Sequence, residues 1–132
     1  MYKRWKVSPH VVHNINYHII WATKYRRAVL HEDVQKRFKE LIEKKVEKLG
    51  IEIKAVEVME DHVHLFINSN TVLPIHYIVQ QLKGYTSKKL RQEYLNLRTK
   101  LPTLWTRSYY VETIGNINKK TIKKYIENQK KV

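Results

Sequence analysis

Residues 51–68, IEIKAVEVMEDHVHLFIN, constrain the fold more than any other stretch. Ile51, Ile53, Ala55 or Val56, and Val58 alternate with charged neighbours, the two-residue period of a half-buried strand. HVHLFIN (62–68) follows almost at once, leaving room only for a turn near Glu60–Asp61. Two strands joined that closely pair antiparallel, because a parallel partner needs a crossover of roughly a dozen residues or more.

The flanks supply the rest of the pattern. HNINYHIIWATKY (13–25) reads as a strand with Ile15, Tyr17, Ile19 and Trp21 on one face. Residues 31–50 read as a helix. Glu32 and Asp33 open it at the positive end of its dipole, Val34, Phe38, Leu41, Ile42, Val46 and Leu49 form its apolar stripe, and Gly50 ends it. Residues 73–95 read as a second long helix, with Pro74 in its first turn and Ile75, Ile78, Val79, Leu82 and Leu90 on its buried side. The β-branched and aromatic stretch LWTRSYYVETI (104–114) predicts a fourth strand. Residues 116–132 predict a closing helix with Asn116 or Asn118 as its cap. The order β-α-β-β-α-β-α predicts an α+β, ferredoxin-like fold: a split β-α-β antiparallel sheet with helices on one face. With 3 Gly, 3 Pro and no linker-like stretch, residues 1–132 are expected to form one domain.

Charge narrows the partners. Lys and Arg number 26 against 12 Asp and Glu, a formal net charge of +14, and residues 61–132 hold only Asp61, Glu93, Glu112 and Glu127 as acids. That balance predicts a polyanionic partner, nucleic acid first. Cysteine is absent, which excludes disulfides and thiolate metal sites. No apolar run approaches the roughly 20 residues of a membrane span, and no apolar segment follows the basic start. The expected location is the cytoplasm, in association with the nucleoid.

Alternation along 62–68 puts His62, His64 and Phe66 on one face and Val63, Leu65 and Ile67 on the other. Two imidazoles at i and i+2, about 7 Å apart at the backbone, can converge on one divalent cation. They can equally be two exposed or hydrogen-bonded histidines. In the last helix, Tyr125 and Gln129 are four residues apart and share a face. A phenolic oxygen can act as a covalent nucleophile, and an amide oxygen can bind a hard cation. Tyr125 can also be an ordinary half-buried helix aromatic.

Taken together, the segments resemble the single-tyrosine, histidine–hydrophobe–histidine (HUH) transposases of the IS200/IS605 insertion-sequence group. YHIIWATKYRR (17–27), MEDHVHLFI (59–67), LKGYTSKKLR (82–91), LWTRSYYVETIGN (104–116) and TIKKYIENQ (121–129) match in order across nearly the whole chain. The resemblance implies cleavage and rejoining of single-stranded DNA at insertion-sequence ends. Tyr125 would attack a phosphodiester, forming a 5′-phosphotyrosine link and leaving a 3′-hydroxyl. His62, His64 and Gln129 would hold a divalent metal, Mg²⁺ or Mn²⁺, and the imidazoles favour Mn²⁺. The resemblance also implies recognition of hairpin DNA ends and a homodimer paired through edge strands, with 104–114 the natural edge. In that dimer the tyrosine helix of one subunit would act in trans. Lys83, Lys88, Lys89 and Arg91, with Lys24, Arg26 and Arg27, are the expected phosphate contacts. Tyr85 is the expected stacking partner for an unpaired base. His10, His13, His18, His31 and His76 carry no evident role and default to structure or surface. Two other readings share these residues: a domesticated palindrome-binding endonuclease of the same fold, and a non-catalytic nucleic-acid-binding module.

Overall fold

The β2–β3 hairpin forms where the alternation places it, with β2 at Ile51–Val58 and β3 at His62–Ser69. The computed structural model describes residues 14–128. Around the hairpin lie β1 (Ile15–Ala22), α1 (Glu32–Leu49), α2 (Ile75–Glu93), α3 (Leu95–Thr99), β4 (Tyr110–Ile114) and α4 (Lys119–Asn128). The sheet is antiparallel throughout, in the order β2-β3-β1-β4. This is the ferredoxin-like strand order that the element order predicts, but the helices are not confined to one face as expected: α1 and α2 cover one side and α4 lies on the other.

One face of the sheet carries Ile19 and Trp21 from β1 and Val63, Leu65 and Ile67 from β3. They pack against Val34, Phe38, Leu41 and Ile42 of α1 and Ile78, Val79 and Leu82 of α2. Trp21, Phe38 and Trp105 meet edge to face, with ring centroids 5.7–6.2 Å apart, the geometry that aromatic quadrupoles favour. Gly50 ends α1 in the left-handed region at φ 73°, and its N–H donates to the Glu47 and Val46 carbonyls. The opposite face carries His18, His64 and Phe66, and α4 lies against it. Asn118 caps α4 reciprocally. Its side-chain oxygen accepts from the Thr121 N–H at 2.9 Å, and the Thr121 hydroxyl accepts from the Asn118 N–H at 2.8 Å.

The fourth strand is half as long as its composition predicts. Only Tyr110–Ile114 pairs with β1; upstream, a single bridge joins Trp105 to Thr23. The carbonyls of Thr106, Arg107 and Ser108 turn toward the Lys83 ammonium, which donates to them at 2.6, 3.3 and 3.2 Å. The residues that suggested a strand are apolar here because Leu104 and Trp105 complete the core. The short helix α3, which the sequence pattern does not announce, follows a break at Tyr94 (φ −123°). The Arg91 guanidinium donates to the Arg98 carbonyl in the last turn of α3 and to the Leu101 and Pro102 carbonyls just beyond it.

Candidate metal centre and nucleophile

Cross-strand register builds the site. His18 on β1 stands opposite Phe66 on β3 and Glu112 on β4, while His64 stands opposite Ile20 and His62 opposite Ala22. His18 and His64 are thus diagonal neighbours on one face, within side-chain reach. His18 Nε2 lies 2.9 Å from His64 Nδ1, and His18 Nδ1 lies 3.0 Å from Glu112 Oε2. Both imidazoles are buried. Phe66 stacks flat on His18 with centroids 4.4 Å apart, so the row Glu112–His18–His64 runs beneath the site with an apolar floor.

His62 is the more open of the pair. Its side chain is 19% exposed, and it borders an open hollow lined by Ala28, Gln35, Val58, Met59, Glu60 and Asp61. Its Nδ1 lies 2.7 Å from Asp61 Oδ1, and Asp61 Oδ2 accepts from Arg26 Nε at 3.2 Å. Burial alone would raise the Asp61 carboxyl. The hydrogen bonds and charges of His62 and Arg26 outweigh it and hold the carboxyl below its ordinary value. Arg26 reaches Asp61 from a tight turn in which Tyr25 and Arg26 take positive φ, 60° and 52°. The Thr23 hydroxyl closes that turn on the Arg27 carbonyl at 2.7 Å.

The donor set fits a divalent ion. His62 Nδ1 is engaged by Asp61, which leaves Nε2 as the ring nitrogen that could take a metal. His64 Nε2 is buried and has no hydrogen-bond partner, an arrangement that native interiors rarely leave without a partner. A carboxylate behind each ligating imidazole, direct or through a second ring, is a common outer shell of histidine metal sites. Burial first, then the neighbouring His18 and His62, push the His64 imidazole down to about 3, so it remains a neutral donor. Among the described residues, no group of three or more His, Cys, Asp and Glu side chains converges to hold a metal. The third ligand expected from the sequence, Gln129, lies outside the described residues.

Tyr125 comes to this face from α4. Its ring meets the His18 imidazole edge-on, with centroids 5.6 Å apart, in its own chain. Ile122 and Ile126 on the same helix line a groove with Glu57 and Met59 of the hairpin. Lys123 and Lys124 point into solvent.

The expected phosphate contacts divide. Lys88 is exposed, Lys89 half-buried, and Lys24, Arg26 and Arg27 cluster on the turn beside Asp61 and His62. Lys83, Arg91 and Tyr85 differ from the sequence expectation. Lys83 is half-buried, and its ammonium is taken up by three carbonyls. Arg91 braces the segment after α3. Tyr85 packs against the core under the Lys45 ammonium, 5.2 Å from its ring centroid. A basic or aromatic residue on a helix reads as surface in a sequence, but a long side chain can bury its stem and place its head on backbone carbonyls. The sequence reading missed His18. Strand parity could have found it: with Ile19 and Trp21 facing the core, His18 must share the face of His62 and His64 once β1 lies beside β3.

Comparison with known proteins follows the same residues. The profile of a family described as "Transposase IS200 like" matches residues 11–129. The ISDra2 transposase TnpA of Deinococcus radiodurans is 35% identical over 120 residues, covering 89% of this chain and 86% of the relative. A crystal structure of a Deinococcus radiodurans protein, solved at 1.90 Å, superposes with a TM-score of 0.76 at 34% identity, covering 92% of this chain and 95% of the other. A tyrosine transposase associated with REP elements, solved bound to a REP hairpin, shares the fold. Its TM-score is 0.62 at 14% identity, covering 91% of this chain and 67% of the other.

Proposed function

The chain belongs to the family of IS200-like transposases, and from that premise we propose that it cuts and rejoins single-stranded DNA with Tyr125 as the covalent nucleophile. The observation that carries this reading is the position of Tyr125 on the sheet face that holds His62 and His64, against His18. Attack of the Tyr125 oxygen on a phosphodiester forms the tyrosine–phosphorus bond and breaks the bond to the 3′-oxygen. That oxygen leaves as a 3′-hydroxyl, and the 5′-phosphate stays on the enzyme. Reversal on a new 3′-hydroxyl rejoins the strand without an outside energy source, because the phosphodiester energy is kept in the enzyme–DNA bond.

His62 and His64 would hold Mg²⁺ or Mn²⁺ through Nε2, with Gln129 as the third protein ligand. Bound there, the ion would neutralise charge on the phosphate and orient it for in-line attack. The protein's own share is orientation: Asp61 engages His62 Nδ1, and α4 brings Tyr125 to the same sheet face, against His18. Lys24, Arg26, Arg27, Lys88 and Lys89 remain the basic side chains for DNA phosphates.

Hairpin-ended DNA is the proposed substrate. The net charge of +14 supports it, as does the fold shared with a protein solved on a REP hairpin. A homodimer is proposed through β4, an edge strand of five residues that leaves one side of its backbone unpaired. In the single chain the tyrosine helix docks on its own sheet, so action in trans requires α4 to leave that face.

The test is a denaturing gel with labelled single-stranded DNA from the flanks of the gene, run with Mn²⁺ and with EDTA. A metal-dependent, protease-sensitive shifted band is the expected result. Cut DNA without such a band would replace this reading with a hydrolytic endonuclease, and intact DNA retarded only on a native gel would leave a binding module.

A further inference from the structure

The row Glu112–His18–His64 lies beneath the metal face and ends in a nitrogen without a partner. We propose that Glu112 and His18 act as positioning residues: they fix the tautomer of His64 so that its Nε2 lone pair, not an N–H, faces the cation site. The proposal rests on reading His62 and His64 as the ligand pair.

Hydrogen-bond bookkeeping along the row gives the direction. An ionised Glu112 only accepts, so the His18 Nδ1–H donates to it across 3.0 Å. A neutral His18 then offers Nε2 as an acceptor, and the His64 Nδ1–H donates to it across 2.9 Å. That leaves the lone pair of His64 on Nε2. The opposite assignment would bury an N–H at Nε2 with no acceptor, an arrangement that native interiors avoid. The two rings are nearly parallel, 9° between planes, which suits a bond in the plane of both imidazoles. Phe66 stacked at 4.4 Å and the strand register hold His18 in that orientation. His62 is served separately by Asp61, so each of the two proposed ligands has its own partner.

Glu112 lies on β4, the strand proposed to pair between subunits, and its side chain is 26% exposed. The relay therefore ties the orientation of a ligand in the centre of the sheet to the edge strand. A shift of β4 against β1 would move Glu112 away from His18.

The test is read first without metal. Nitrogen-15 spectra of the metal-free protein, with histidine resonances assigned through bonds, report the tautomer of each imidazole. His64 is expected as the Nδ1–H form in the wild type. His18→Phe, which keeps the stack but removes the acceptor, should lose that preference and bind Mn²⁺ about ten- to hundredfold more weakly by calorimetry. His18→Gln should restore part of the affinity. Glu112→Gln, at a half-exposed position that a folded protein tolerates, should weaken Mn²⁺ binding in the same direction. A wild-type His64 found as the Nε2–H form, or variants with unchanged tautomer and affinity, would overturn the relay. If the wild-type spectrum shows the expected tautomer but Mn²⁺ leaves His62 and His64 unperturbed, the relay stands and the ligand reading falls.

Discussion

The ring of Tyr125 meets the imidazole of His18 edge-on at 5.6 Å, and His18 in turn lies 2.9 Å from His64. One histidine thus touches both the ring of the proposed nucleophile and a proposed metal ligand. Tyr125, His18, His64 and Glu112 form one contiguous unit built from β1, β3, β4 and α4.

Tyr125→Phe keeps the ring that packs on His18 and removes only the hydroxyl. Cleavage should fall by on the order of a thousandfold or more. Binding to single-stranded DNA, measured by gel retardation, should stay within about twofold, because one neutral hydroxyl contributes little to a charge-dominated interface. Loss of binding in a well-folded variant would remove Tyr125 from the role of nucleophile alone.

The buried His64 sets a pH dependence in the metal-free protein. Its folded value is about 3, against roughly 6.5 for an unperturbed imidazole. Between those values the unfolded chain takes up a proton that the folded chain refuses. Stability is therefore retained above about pH 6.5 and lost as the pH falls through this window. Chemical denaturation at pH 7, 6 and 5 should show the decline, and His64→Gln should lessen it over a range that lies above most carboxylate titration, with part retained by His18, whose imidazole burial also pushes down. An equal slope in both proteins would contradict the buried neutral imidazole.

Lys83 holds the approach to β4 in place. Lys83→Met keeps most of the buried stem but leaves the carbonyls of Thr106, Arg107 and Ser108 without their donor. Unfolding free energy should drop by roughly 1.5–3 kcal/mol, and amide exchange should quicken in β4 before it does in the β2–β3 hairpin. Unchanged stability together with weaker DNA binding would return Lys83 to the phosphate-contacting role that its sequence position suggested.

Phosphate contacts are read from salt. Each single-strand phosphate neutralised contributes about 0.7 to the slope of log affinity against log salt, and each duplex phosphate about 0.9. Replacing Lys88 and Lys89 together with alanine should lower that slope by roughly 1.4–1.8. No change in slope would move the DNA path off α2.

The sequence made the hairpin, both long helices and the face of His62 and His64 legible, because each rests on local periodicity. It hid what depends on long-range partners. His18 looked idle until β1 was placed between β3 and β4, where the register brings it to Phe66 and Glu112. LWTRSY (104–109) looked like strand because burial and pairing favour the same residue types, but the Lys83 ammonium claims carbonyls that a ladder would use. Arg91 and Tyr85 looked like surface because nothing local shows that a segment after α3 folds back onto Arg91, or that Tyr85 meets the core.

The central claim is that Tyr125 carries the DNA. The direct measurement is mass spectrometry of the protein after reaction with single-stranded DNA and Mn²⁺, followed by nuclease and trypsin digestion. Cleavage after Lys124 releases a peptide that begins at Tyr125, and it should gain the mass of a 5′-phosphorylated nucleotide remnant on that tyrosine. A remnant on another residue, or DNA cut with no modified peptide, would contradict the assignment.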